Sequence, residues 1–189
     1  RGLGDVYKRQ AYNNRKTSLQ FIQQEMNNIT ALSNETCQLG IQSRNMVLYI
    51  AKKDSPQPIR LMSSVGKQLP LYCTGLGRAL LAYKSEEEIR SLFPEVLTAY
   101  TPHTIATIND LLKELELTRQ RGYAVEHEET NLMVNCIAVS LDYNNAPIAA
   151  LSISIPTFRI SESKEKEAVQ ILWEAKQHIC LLYTSPSPR

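Results

Sequence analysis

Residues 136–156 have the sequence CIAVSLDYNNAPIAALSISIP and predict the centre of a β-sheet. Bulky and small side chains alternate along both halves, Asn135–Asp142 and Ile148–Ile155, as they do in half-buried strands. Tyr143–Pro147 separates the halves and contains two Asn residues and a Pro, which predicts a hairpin connection. One face of this hairpin is therefore bulky and apolar. The other is small and weakly polar, with Cys136, Ala138, Ser140, Ala150, Ser152 and Ser154.

Further strands and helices are predicted on both sides of this hairpin. The additional β-type runs are Thr36–Ile41, Met46–Ala51, Pro58–Ser63 and Tyr123–Glu128. The helical patterns are Asn14–Asn34, Thr74–Tyr83, a helix with a Ser85/Glu88 capping box, Asn109–Arg121, and a C-terminal helix capped by Ser161 or Ser163. Six strands with helices at both ends predict an α+β fold, in which helices cover an antiparallel sheet.

Composition limits the class of protein. The chain has 189 residues, enough for one sizeable domain, and it contains no run of about 18 apolar residues that would cross a membrane. Its four cysteines, Cys37, Cys73, Cys136 and Cys180, form no C-x-x-C pair, so neither a metal knuckle nor a disulfide scaffold is indicated. We expect reduced thiols in a cytoplasmic protein.

The two ends of the chain differ from its body. The segments RGLGDVYKRQ (1–10) and CLLYTSPSPR (180–189) have no helical or strand periodicity and resemble translated readthrough sequence. We therefore expect one domain over residues 14–179, with 1–13 and 180–189 non-native. Without the first and last ten residues the formal net charge of +2 becomes −1, and this charge gives no sign of a nucleic-acid groove.

Two features point to a ligand, and each also has a structural interpretation. The small face of the hairpin either packs closely on a helix or faces solvent, or it lines a cavity for a small polar ligand. The segment Thr74-Gly75-Leu76-Gly77 enters a helix, where free amides and the helix dipole attract a carboxylate or phosphate. Glycines at such a position also serve turns and tight packing, so this signal is weak by itself.

Catalytic and metal sites have less support. If the strand containing Glu126-His127-Glu128 is regular, the two carboxylates share a face and the imidazole points away. No second carboxylate pair can be placed across a substrate, and no His has metal-ligand spacing. A Cys–His nucleophilic pair that includes Cys136 remains an alternative, because such partners meet only in space.

Four segments together carry a family resemblance. They are LPLYCTGLGRALLAY (69–83), AYTPHTIAT (99–107), RGYAVEHEE (121–129) and the hairpin 136–156. In this order and spacing they resemble the effector-binding domain of IclR-family transcription regulators, over Asn14–Ile179. The segments Leu39–Ile41 and Ser55–Leu61 resemble the branch of the family that senses sugar acids.

The resemblance implies a fold and a site. The fold is a curved antiparallel sheet, similar to GAF and profilin-like sensors, that assembles into dimers and tetramers. The site binds a small organic or sugar acid: the backbone of Gly75 and Leu76 holds the carboxylate, and Glu126, Cys136, Ser152 and Ser154 complete the polar shell. Glu126 stands where Asp is more usual, which adds a methylene to the pocket wall.

The resemblance also implies what the chain does not do alone. No cofactor, metal, membrane or catalytic residue is expected, and DNA is bound only through an N-terminal winged helix-turn-helix domain that this chain lacks. Two alternatives stay open, a structural dimerisation domain without a ligand and a Cys-dependent enzyme.

Overall fold

The computed structural model describes residues 19–61 and 63–184. Six strands form one sheet in the order β3-β2-β1-β6-β5-β4, with every neighbouring pair antiparallel. The strands are β1 (Thr36–Ser43), β2 (Met46–Lys53), β3 (Gln68–Pro70), β4 (Ala124–His127), β5 (Val134–Tyr143) and β6 (Ala146–Pro156). The predicted α+β fold with a curved six-stranded antiparallel sheet is therefore confirmed.

Two hairpins organise the sheet. β5 and β6 are longer than predicted, so their connection is only Asn144 and Asn145, both with positive φ (50° and 60°). Asn tolerates the left-handed region better than most residues, and two such residues match the twist of the strands. Arg44 and Asn45 join β1 to β2 in the same short manner, with Arg44 at φ 57°.

The third strand was predicted in the wrong place. Pro58–Ser63 was expected to be a strand, but its described residues are not in a strand, and β3 instead pairs Gln68–Pro70 with the start of β2. Residues 54–67 form the connection, which we name the covering loop. Pro56 and Pro58 lack the N–H groups that a strand ladder needs, so the apolar spacing of this segment does not produce a strand. Met62 lies outside the described residues.

Five helices complete the fold. They are α1 (residues 19–33), α2 (Gly75–Leu81), α3 (Glu86–Leu92), α4 (Ile108–Arg121) and α5 (Glu162–Thr184). Ser85 and Glu88 form the predicted capping box, Ser161 Oγ accepts the Lys164 amide at 3.1 Å, and Gly122 (φ 80°) ends α4. α5 continues through the boundary expected at residue 179. The predicted start of the first helix at Asn14 lies outside the described residues.

The sheet separates two apolar layers. On one face α1 and α5 cover the bulky side chains of β1, β5 and β6, including Leu39, Ile137 and Ile153. In α1, Ile22, Met26 and Ile29 are buried, whereas Leu19 and Leu32 of the predicted stripe are exposed. On the opposite face α2, α3 and α4 cover the small side chains of the central strands.

Candidate functional site

The N-terminal end of α2 packs directly on the small face of the sheet. A Cβ atom on Gly75 would lie 3.3 Å from Cys136 Cβ and 3.4 Å from Ala138 Cβ. A Cβ atom on Gly77 would lie 2.2 Å from the carbonyl oxygen of Leu71, which no side chain permits. Gly77 is therefore required for the close approach of α2 to Leu71, and Gly75 lets the start of α2 lie against Cys136 and Ala138.

The same geometry aims the start of α2 at the sheet. Thr74 Oγ1 accepts the Gly77 amide at 3.1 Å, and the two amides before it are those of Gly75 and Leu76. The first amides of a helix have no acceptor within the helix, so they are free to donate to another group. The Leu76 side chain is buried, with Cδ1 3.1 Å from the place of a Cβ on Gly40.

A buried polar set lies on this small face, made of Gln38, Cys136, Ser152 and Ser154. Ser152 and Ser154 are each only 1% exposed, and their hydroxyls both donate to Gln38 Oε1, at 3.2 and 2.9 Å. Cys136 Sγ lies 3.1 Å from Ser154 Oγ, in register across β5 and β6. Three of the six predicted site residues, Cys136, Ser152 and Ser154, thus come together in the sheet. A fourth, Gly75, lies against Cys136.

Gln38 also belongs to this polar set, although it is not among the six predicted site residues. It is 2% exposed and lies opposite Ser152 in the pairing of β1 with β6. The sequence feature that could have indicated it is a polar residue in the middle of a predicted strand. Alternation along that strand places Gln38 on the same face as Thr36 and Gly40. That signal does not identify the partner strand, so it could not connect Gln38 to the serines.

Glu126 lies beside this set but is held by its own turn. Its Oε1 accepts the amides of Glu129 and Thr130, at 2.6 and 3.2 Å, and its strand position is opposite Cys136. Burial raises the pKa of Glu126, and the hydrogen bonds from the two amides oppose that shift only in part. Burial therefore makes this carboxyl easier to protonate than an exposed glutamate.

The expected pairing of Glu126 with Glu128 is wrong. β4 ends at His127, and Glu128 has a left-handed backbone (φ 54°) that turns its side chain out of the strand pattern. Glu128 Oε1 instead accepts the Met133 amide at 2.6 Å. Because period two holds only inside a regular strand, the alternation ends where the strand ends.

Cys136 is unsuited to nucleophilic catalysis. Burial raises the pKa of its thiol well above the ordinary value, and the adjacent Glu126 carboxylate raises it further. The nucleophile in cysteine chemistry is the thiolate, which this environment disfavours. Within residues 19–61 and 63–184, no three His, Cys, Asp or Glu side chains are grouped so that they could hold a metal ion.

A buried ion pair fixes α2 beside the polar set. Arg78, 2% exposed, donates through Nε to the Tyr72 carbonyl and through Nη1 to the Val125 carbonyl, both at 2.9 Å, and its Nη2 pairs with Glu129. Glu129 also accepts the Ile105 amide at 3.2 Å. Arg78 thus links α2 to the Tyr72 and Val125 backbone, and its charge is paired with Glu129.

The covering loop closes the other side of the polar set. Ser63 Oγ accepts Gln38 Nε2 at 2.6 Å, and Lys52 Nζ donates to the carbonyls of Ser63 and Leu61, at 2.8 and 3.4 Å. Surface cavities of about 570, 170, 240 and 300 Å³ in the described part of the chain lie elsewhere, and the six predicted site residues line none of these. In this structure the polar side chains satisfy one another.

Comparison with known proteins gives consistent relatives. Residues 11–181 match the family described as bacterial transcriptional regulator IclR, C-terminal. The HTH-type transcriptional regulator KdgR of Dickeya chrysanthemi is 38% identical over 157 residues, which cover 82% of this chain and 52% of that protein. The HTH-type transcriptional repressor AllR of Escherichia coli K12 is 34% identical over 165 residues, covering 86% and 61%. The chain thus spans between half and two thirds of the length of these relatives.

Solved structures agree with the sequence comparisons. The crystal structure of the C-terminal domain of the Escherichia coli regulator KdgR superposes with a TM-score of 0.79 at 32% identity. The match covers 89% of this chain and 99% of that one. The shared fold extends over nearly the whole of the solved KdgR domain, so the similarity is not limited to a local motif.

Proposed function

This chain belongs to the IclR family of bacterial transcriptional regulators, as the C-terminal domain, and from that premise we propose that it senses a small organic or sugar acid. The relatives are regulators and not enzymes, and with a thiol as protonated as that of Cys136 the alternative of a Cys-dependent enzyme has no support. No helix in the part of the chain that the structure describes is long and apolar enough to cross a membrane. We place its action in the bacterial cytoplasm.

One observation carries the proposal. A set of buried, mutually hydrogen-bonded polar side chains lies on the small face of the sheet, and one of them, Cys136, lies against Gly75 at the start of α2. Buried hydroxyl and amide groups must be hydrogen-bonded, and a ligand carboxylate could replace Gln38 as the acceptor for the two serines. We assign the amides of Gly75 and Leu76 to the effector carboxylate, and the side chains of Cys136, Ser152 and Ser154 to its remaining oxygens.

Glu126 completes the proposed shell in a different way. An ionised carboxylate would repel an acid, so we propose that Glu126 binds the effector in its protonated form, which burial makes easier to reach by raising the pKa of this carboxyl. A neutral carboxyl can donate to the effector, as buried carboxylic acids do in other sites. We expect its additional methylene, relative to Asp, to shrink the pocket or to shift the ligand.

Regulation then follows from a shift in populations. We propose that the domain assembles with copies of itself, as dimers or tetramers, and that DNA is bound by a helix-turn-helix domain outside this chain. An effector that binds one arrangement of the sensor domains more tightly favours that arrangement and so changes the spacing of the DNA-binding domains. An effector with equal affinity for both arrangements would have no regulatory effect.

The test compares the wild type with a Ser152→Ala/Ser154→Ala double variant. Ligands that bind only the folded protein raise its melting temperature, so pyruvate, 2-oxoglutarate, D-gluconate and 2-keto-3-deoxygluconate are screened by thermal shift and then titrated by calorimetry. Hydrogen bonds to a charged ligand are worth about 1.5–3 kcal/mol each, so loss of both hydroxyls should weaken binding at least tenfold. The exposed pair Ser91→Ala/Ser163→Ala is the matched control.

Two results would contradict the proposal. Unchanged affinity in the double variant would remove the serines from the site. A flat response of a folded wild type to all four acids would instead favour a structural dimerisation domain without a ligand. That second candidate is supported by one observation, the mutual hydrogen bonding of Gln38, Ser152 and Ser154.

A further inference from the structure

The carboxamide of Gln38 has the hydrogen-bonding arrangement expected of a bound acid. Its Oε1 receives the hydroxyls of both Ser152 and Ser154, at 3.2 and 2.9 Å, and the side chain is buried. A carboxamide oxygen and a carboxylate oxygen are both planar acceptors with two lone pairs. The two serines therefore already donate to an oxygen of the kind that an effector would bring.

The other end of the carboxamide reaches the covering loop. Gln38 Nε2 donates to Ser63 Oγ at 2.6 Å, and Ser63 is the point where Lys52 Nζ also binds the loop backbone. Lys52 in turn pairs with Asp54 at the start of the loop, with Nζ and Oδ1 2.6 Å apart. One side chain thus joins the floor of the polar set to the loop that closes it.

We infer that Gln38 is a specificity-determining residue of the proposed pocket. It competes with the ligand for the hydroxyls of Ser152 and Ser154, and through Ser63 it connects the covering loop to that competition. This inference rests on the proposed function for its ligand, but not for the tie to the loop. An acid that uses both hydroxyls must displace Gln38 Oε1. When Gln38 moves, the Ser63 hydrogen bond breaks, so binding loosens the covering loop at Ser63 while Lys52 still holds its backbone.

The competition has a consequence for affinity. The apparent dissociation constant of a ligand increases when the binding-competent state is only a fraction of the free protein. Removing the competitor therefore strengthens binding of any acid that needs the serines. The expected gain is about three- to tenfold, the value of one net hydrogen bond.

The experiment uses three variants of the full chain. Gln38→Ala removes the competitor and the tie, and Ser63→Ala removes the tie alone. Gln42→Ala, on the same strand, is the matched control, because its Nε2 bonds only the nearby Arg44 carbonyl at 2.8 Å. Hydrogen–deuterium exchange of residues 61–67 is measured without ligand, and the affinity for the four acids is measured by calorimetry.

We expect faster exchange of residues 61–67 in Gln38→Ala and Ser63→Ala, and no change in Gln42→Ala. We also expect Gln38→Ala to bind more tightly those acids that the Ser152→Ala/Ser154→Ala variant binds less well. Unchanged exchange in both loop variants, or weaker acid binding by Gln38→Ala, would overturn the inference.

Two further outcomes keep this inference separate from the proposed function. If no acid binds the wild type or Gln38→Ala while loop exchange increases in both variants, the proposed function fails and the tie to the loop stands. If Gln38→Ala does not fold, Ser63→Ala still tests the tie through exchange. Gln38→Asn then tests the competition, because a side chain one methylene shorter competes less well for Ser152 and Ser154 and should let the acids bind more tightly.

Discussion

Replacing Arg78 by Met is expected to destabilise the domain by about 3–5 kcal/mol, the usual cost of removing one partner of a buried ion pair. The Arg78 side chain is 2% exposed and that of Glu129 is 7% exposed, so water cannot replace the lost charge. The Met side chain has similar length and no donor. It therefore also leaves the carbonyls of Tyr72 and Val125 without the hydrogen bonds that Arg78 gives them.

The assay is urea unfolding at 25 °C and neutral pH, followed by the fluorescence of Trp173, the single tryptophan of the chain. In thermal unfolding the same loss lowers the melting temperature by about 6–20 °C, at roughly 2–4 °C per kcal/mol for a domain of this size. Arg90→Met is the control. Arg90 pairs with Glu86 and Glu95 on the surface, where an ion pair contributes about 0–1 kcal/mol.

A double variant tests the reason for the loss. In Arg78→Met/Glu129→Met no unpaired carboxylate is left in the interior, so its destabilisation should be much smaller than the two single losses combined. Additive losses, or a loss below about 1 kcal/mol for Arg78→Met, would refute the role given to the ion pair. Lost acid binding in Arg78→Lys at unchanged stability would instead show that the arginine acts on the ligand.

Three other changes have defined outcomes. Gly77→Ala should destabilise the domain by at least about 1–3 kcal/mol in urea unfolding, since its Cβ would lie 2.2 Å from the Leu71 carbonyl oxygen. Because the pKa of Glu126 is raised, the folded protein holds this proton more tightly than the unfolded chain does, and the stability that this adds is lost as pH rises from the ordinary carboxyl range through the raised pKa. Over that pH range Glu126→Gln should become more stable relative to the wild type, as measured by the midpoint of urea unfolding. Cys136 should react with iodoacetamide much more slowly in the folded protein than in urea, because its thiol pKa is raised, and equal rates would contradict this environment.

Local sequence patterns predicted the parts of the fold that depend on near neighbours. The alternation in residues 136–156 correctly separated the small face from the bulky face, because successive side chains of a strand must point to opposite sides. The Ser85/Glu88 capping box and the end of α4 at Gly122 were predicted for the same reason. In each case the residues that interact are at most four positions apart.

The local patterns gave wrong predictions where the conformation of one segment depends on a different segment of the chain. Apolar spacing at Pro58–Ser63 suggested a strand, but β2 takes its neighbour from Gln68–Pro70, and the prolines leave the earlier segment as a loop. Likewise, Glu126 and Glu128 would share a face in a longer strand. The turn after His127 instead brings the Glu129 amide onto Glu126, which no periodicity within the strand encodes.

The resemblance of four segments identified the family, and period-two alternation assigned the strand faces and grouped Cys136, Ser152 and Ser154. The acceptance of both serine hydroxyls by Gln38, 114 positions before Ser152, became visible in the folded chain alone. Strand pairing is set by the whole sheet. β1 pairs with β6 across most of the chain, and local rules for alternation and capping contain no information about which distant strand becomes the neighbour.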